Sequence, residues 1–92
     1  MKQDIGEQKQ DVDIRKLFGE EMEEASFSVR TVRNIEKLYF VFGNRVVFGR
    51  TDIMEALGIT ASPASALTKK LLDAAILVHV KGKGKGKYLF VK

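Results

Sequence analysis

Cysteine is absent from this 92-residue chain. That excludes disulfides and thiolate metal sites. Histidine occurs once, as His79, and proline once, as Pro63. A lone imidazole without thiolates leaves little with which to build a zinc site or activate a nucleophile. No apolar run is long enough to cross a bilayer, and the opening "MKQDIGEQKQ" lacks the apolar stretch of a secretory signal. There is no Walker loop, no dinucleotide fingerprint and no nucleophile beside a base. These gaps lead us to expect a protein that is not an enzyme, needs no metal or cofactor, has no membrane partner and resides in the cytoplasm.

What is present is an ordinary globular composition, 45% hydrophobic and 30% charged, long enough for one small core. The net charge of +4 hides an asymmetry. Residues 1–29 hold four Lys/Arg against eight Asp/Glu, a balance of −4, whereas residues 30–92 hold twelve against four, a balance of +8. A basic body behind an acidic leader favours a polyanionic partner for the body. We divide the chain into a leader over 1–27 and a domain over 28–92. Residues 1–13 are polar and read as disordered or as the end of a linker. "IRKLFGEEMEE" puts Ile14, Leu17, Phe18 and Met22 at helical spacing around Gly19, which suggests one or two helical turns that dock on the domain.

From Ser28 the periodicity is regular. Val32, Ile35, Leu38, Tyr39 and Phe42 recur every three or four residues, with Arg33, Glu36 and Lys37 opposite, so an amphipathic helix is expected. Ser28 or Thr31 can cap it, and Gly43-Asn44 ends it. "RVVF" (45–48) suits a brief strand. In "TDIMEALG", Thr51 and Asp52 suit a helix start, Ile53, Met54 and Leu57 an inward face, and Gly58 a left-handed stop. The helix in "ITASPASALTKKLLDAA" is expected over 61–75, capped by Thr60 or Ser62. Pro63 is tolerated in its first turn, and Ala64, Leu67, Thr68, Leu71 and Ala75 face inward. "ILVHVK" and "YLFVK" flank "KGKGKGK" (81–87) as two strands of a hairpin. The four lysines thus belong to a connection between strands, not to a tail.

The order of elements, the turn Gly58-Ile59-Thr60, and the stretch Lys69-Lys70-Leu71 to Ala74-Ala75-Ile76-Leu77 ahead of a basic hairpin resemble the winged helix-turn-helix DNA-binding domains of bacteria. Such domains end several multidomain proteins, among them Fic-type and ATPase-like regulators. The resemblance covers residues 30–92. It implies a mainly α domain with a small β-sheet (α+β), built from three core helices and a β-hairpin wing, here with an N-terminal extension. It also implies double-stranded DNA as partner, bound mainly through phosphates, in a transcriptional regulator or the DNA-targeting end of one. A homodimer and an upstream domain of a parent protein are further partners it allows.

Carried onto this chain, the resemblance places Ala61, Ser62, Ser65 and Ala66 towards bases and Lys69 and Lys70 nearer the backbone, with Thr60 of the turn also among the DNA-binding residues. Arg50 and Thr51 would meet phosphate. The wing lysines Lys81, Lys83, Lys85 and Lys87 would lie along phosphates or an adjacent minor groove. Lysine attracts phosphate as a mobile point charge, and glycine lets the backbone approach closely. Yet the exposed face of 61–75 lacks the Arg, Gln or Asn that pair bidentately with G or A. A second reading therefore stands beside the first: a winged-helix module for protein interaction or dimerisation. Phe40, off the main apolar stripe, is the interface candidate. Tyr39 and Phe42 suit the core, and His79 a cross-strand surface position. "FGNR" (42–45) is similar to the phosphate-binding end of the Fic adenylyltransferase motif, but the upstream histidine is missing and the segment reads as a helix end. The glutamates at 20, 21, 23 and 24 read as a solvated face.

Overall fold

A computed structural model describes residues 13–82 and 86–92. The expectations for residues 1–12, Lys83 and Lys85 lie outside the described residues. The described residues form a mainly helical arrangement with a small three-stranded antiparallel sheet, an α+β architecture.

The first helix, α1 (Ile14–Glu24), starts at Asp13, whose carboxylate accepts from the Arg15 amide at 3.0 Å. Ile14, Phe18 and Met22 share one face, and all three are buried in the core cluster. The helix kinks at Phe18. Burying each such side chain stabilises by roughly 1.5–3 kcal/mol. The helix runs 11 residues, longer than the one or two turns expected, and it docks on the domain as expected, with its apolar face in the core. Its end is closed by hydrogen bonds from Ser26 to the Glu23 carbonyl and from Phe27 to the Met22 carbonyl, with Ser26 left-handed at φ 56°.

Helix α2 (Val29–Phe42) is capped by Ser28, whose hydroxyl accepts from the Thr31 amide at 3.2 Å. Val32, Ile35 and Leu38 are buried, Tyr39 and Phe42 half-buried, and Phe40 exposed. Gly43, at φ 64°, ends the helix. Strand β1 is shorter and later than "RVVF", covering Phe48–Gly49 only, because Arg45 and Val46 stay in solvent. Helix α3 (Arg50–Leu57) follows at once. Its N-cap is Gly49, not Thr51, since the Asp52 carboxylate reaches back to the Gly49 N–H at 2.8 Å. Gly58 stops it at φ 66°.

Helix α4 (Ala61–Asp73) has Thr60 as N-cap, with no side-chain cap bond. Pro63 occupies the third helical position and has no N–H there to donate to the Thr60 hydroxyl. Ala64, Leu67, Thr68 and Leu71 are buried, and the Thr68 hydroxyl is satisfied by the Ala64 carbonyl at 2.8 Å. The helix ends two residues before the expected 75. Ala75 turns left-handed at φ 64° and is exposed instead of facing the core. Bonds from Ala75 to the Leu72 carbonyl and from Ile76 to the Leu71 carbonyl close this end and send Ile76 inward.

Strands β2 (Leu77–His79) and β3 (Lys87–Phe90) pair antiparallel, and β1 joins the other edge of β3, giving the order β1-β3-β2. The register sets Leu77 opposite Phe90 and His79 opposite Tyr88. Aromatic rings from four elements meet at Phe90. Its centroid lies 4.9 Å from Tyr39, 5.7 Å from Phe48 and 6.0 Å from Phe18. Phe42 stacks on Phe48 at 4.4 Å. Lys92 then fastens the chain across α1. Its ammonium donates to the Leu17 carbonyl at 3.0 Å and lies 3.1 Å from the Glu21 carboxylate, while the Tyr39 hydroxyl donates to the Lys92 carbonyl at 3.1 Å.

Candidate functional site

The junction of β1 and α3 positions the first cation. A Cβ at Gly49 would stand 2.9 Å from the Gly86 carbonyl oxygen, so only glycine lets β1 pass this close to the base of the hairpin. Arg50, the next residue, is thereby set beside β3 at the start of α3. Its guanidinium donates to the Ser65 hydroxyl at 3.2 Å, linking α3 to the outer face of α4.

These three elements enclose an open groove of about 690 Å³. Arg50 and Thr51 of α3, Ser65 and Lys69 of α4, and Lys87 and Tyr88 of β3 line it, with His79 of β2 beside them. Arg50, Lys69 and Lys87 supply positive charge, and Asp52 and Asp73 are the carboxylates on the same lining. Asp52 is occupied by the Gly49 amide. Asp73 pairs with Lys69 at 3.7 Å, with both side chains largely in water. An exposed pair of this kind is worth about 0–1 kcal/mol, so Lys69 exchanges readily to another anion.

The residues named from sequence that the structure describes divide between four places. Arg50, Thr51, Ser65, Lys69 and Lys87 meet in the groove. Thr60, Ser62 and Ala66 are exposed and Ala61 half-buried, and none of these four lines it. Lys70 points the other way, into a hollow shared with Glu21, Glu24 and Asp73. Its position one residue after Lys69 turns it about 100° around the helix, which is why the two lysines part. Lys81 is exposed in the turn after β2, and left-handed glycines, Gly82 at φ 82° and Gly86 at φ 73°, flank the undescribed tip.

Sequence reasoning missed that His79 and Tyr88 belong to this lining. Their rings lie 5.4 Å apart, as the cross-strand position expected for His79 requires, and both face the groove. A signal existed. Leu77 and Phe90 point into the core, and side chains two residues on along each strand return to the same face. His79 and Tyr88 therefore continue the inner face of the sheet beyond the end of the core.

Among the described residues there is no cluster of three His, Asp or Glu side chains arranged to hold a metal ion, and no helix long and apolar enough to cross a membrane. No protein-family model matches this chain, and neither a curated protein nor a solved structure does.

Proposed function

We propose that the chain is a winged-helix domain that binds double-stranded DNA as part of a bacterial transcriptional regulator. The observation that carries this reading is the convergence of Arg50, Lys69 and Lys87, from α3, α4 and β3, on one open groove. Helix α4 would enter the major groove with Ala61, Ser62, Ser65 and Ala66 towards the bases. Arg50 and Lys87 flank that helix on the side of the hairpin, where a phosphate backbone would run. The sequence between β2 and β3 adds further lysines at 81, 83 and 85 to this charge.

Phosphate contacts position a protein on the duplex, and base contacts specify the sequence. Serine hydrogen-bonds to any base, and alanine touches only a thymine methyl. The α4 face thus favours tight dependence on salt over sharp sequence preference. Any sharper selectivity would come from the shape of the duplex.

Fluorescence anisotropy with a mixed-sequence duplex tests the reading. Binding of order 10⁻⁵ M at low salt, weakening steeply as salt rises, is the expected result. Arg50→Glu with Lys69→Glu and Lys87→Glu should abolish it while the thermal midpoint stays near that of the parent. No binding at low salt would remove DNA as the partner and return attention to protein partners.

A further inference from the structure

The three most exposed large apolar side chains among the described residues all lie on α2: Val29 at 63%, Phe40 at 62% and Val41 at 55%. Val29 and Phe40 are eleven positions apart. At about 100° per residue they return to within roughly 20° of the same line, about 16 Å apart along the axis. A shallow hollow runs between them, lined by Arg33, Glu36 and Lys37 of the same helix and, at its side, by Ile14 and Arg15 of α1 and Ala56 of α3. Among the described residues, no ion pair within the chain occupies Arg33 or Glu36.

This stripe is complementary to itself. The midpoint of Val29 and Phe40 falls between Asn34 and Ile35, and so does the midpoint of Arg33 and Glu36. A two-fold axis at that point turns one stripe onto the other with the helices antiparallel. Val29 then meets the Phe40 position of the other copy, and Arg33 meets the Glu36 position, each contact occurring twice. Apolar ends would be covered together, and the central charges would be paired with opposite signs. A parallel arrangement would instead set Arg33 against Arg33 and Glu36 against Glu36.

We infer that the exposed face of α2 binds a second copy of this chain, as an antiparallel helix pair with Val29 against Phe40 and Arg33 against Glu36. The surface lies on a helix that contributes nothing to the groove, so this association stands whether or not the groove binds DNA. With only one helix face per copy, the interface is small and the dimer weak.

Sedimentation equilibrium of the full chain and of charge-reversed variants tests it. The parent should dimerise below about 1 mM. Arg33→Glu and Glu36→Arg should each weaken self-association by about tenfold or more, since each sets two like-charge pairs face to face. Mixing the two variants should restore a dimer containing one of each, because both of its pairs are then of opposite sign. Phe40→Glu should leave a monomer with unchanged far-ultraviolet circular dichroism. A parent that stays monomeric at about 1 mM overturns the inference, as does a dimer indifferent to both reversals or one that the mixture fails to restore.

Discussion

The Arg50 guanidinium donates to the Ser65 hydroxyl at 3.2 Å, across 15 residues of sequence, and so holds the start of α3 against the outer face of α4. The bond is exposed, and its loss should alter stability by no more than about 0.5 kcal/mol in either direction. Its value lies in aiming a cation. Arg50→Ala should lower affinity for a mixed-sequence duplex and reduce the salt slope by about one. Ser65→Ala should leave the slope unchanged, because the guanidinium remains. Equal slopes for Arg50→Ala and the parent would place Arg50 outside the contact.

Ala75 ends α4 in a left-handed conformation that favours glycine, at φ 64°. A Cβ there costs about 1–2 kcal/mol. Ala75→Gly should therefore raise unfolding stability by roughly 0.5–1 kcal/mol, the unfolded-state entropy of glycine offsetting part of the relief. Urea unfolding at unchanged m-value measures it.

Gly49 behaves in the opposite sense. Its Cβ would meet backbone, the Gly86 carbonyl oxygen at 2.9 Å, which cannot swing aside as a side-chain end can. Gly49→Ala should destabilise by about 1–3 kcal/mol. It should also displace Arg50 from the base of the hairpin, lowering duplex affinity beyond what the stability loss explains. A fully stable Gly49→Ala would show that β1 can shift without consequence.

Glu21 is held below the usual carboxylate range, first by hydrogen bonding from its own backbone amide and then by the Lys92 ammonium at 3.1 Å. A carboxyl depressed by folding contributes stability that is present above its unfolded pKa and is lost as pH falls through the lower folded value. Glu21→Gln should therefore flatten the acid limb of the stability profile and leave its alkaline side parallel to the parent. Urea midpoints between pH 7 and about pH 3 would show it, and parallel acid limbs would count against the pair.

Helices α2, α3 and α4 were legible because apolar residues at spacings of three and four are bounded by Ser28, Gly43 and Gly58. The length of α1 was not, because Gly19 interrupts the run, although the spacing of Ile14, Phe18 and Met22 already pointed to a helix docked on the domain. The end of α4 was overshot because alanine carries no stop signal, whereas the hydrogen bonds closing on Leu71 and Leu72 do not depend on glycine. Of the candidate site, single residues such as Arg50 and Lys69 could be named from sequence. Their meeting with His79 and Tyr88 depends on the register of β2 against β3, which is fixed by contacts distant in the chain.

The clasp of Lys92 on α1 has a kinetic consequence. Its bonds to Glu21 and Leu17 span 71 and 75 residues, nearly the whole described chain. Closing so long a loop is entropically costly, and nothing repays it until the intervening elements are in place. Neighbours in sequence such as α3 and α4 can assemble early. Helix α1 would then be captured last, when β3 delivers Phe90 and Lys92 to it. Substitutions at Phe18 should mainly speed unfolding and leave the folding rate almost untouched, whereas those at Ile53 or Leu71 should slow folding itself.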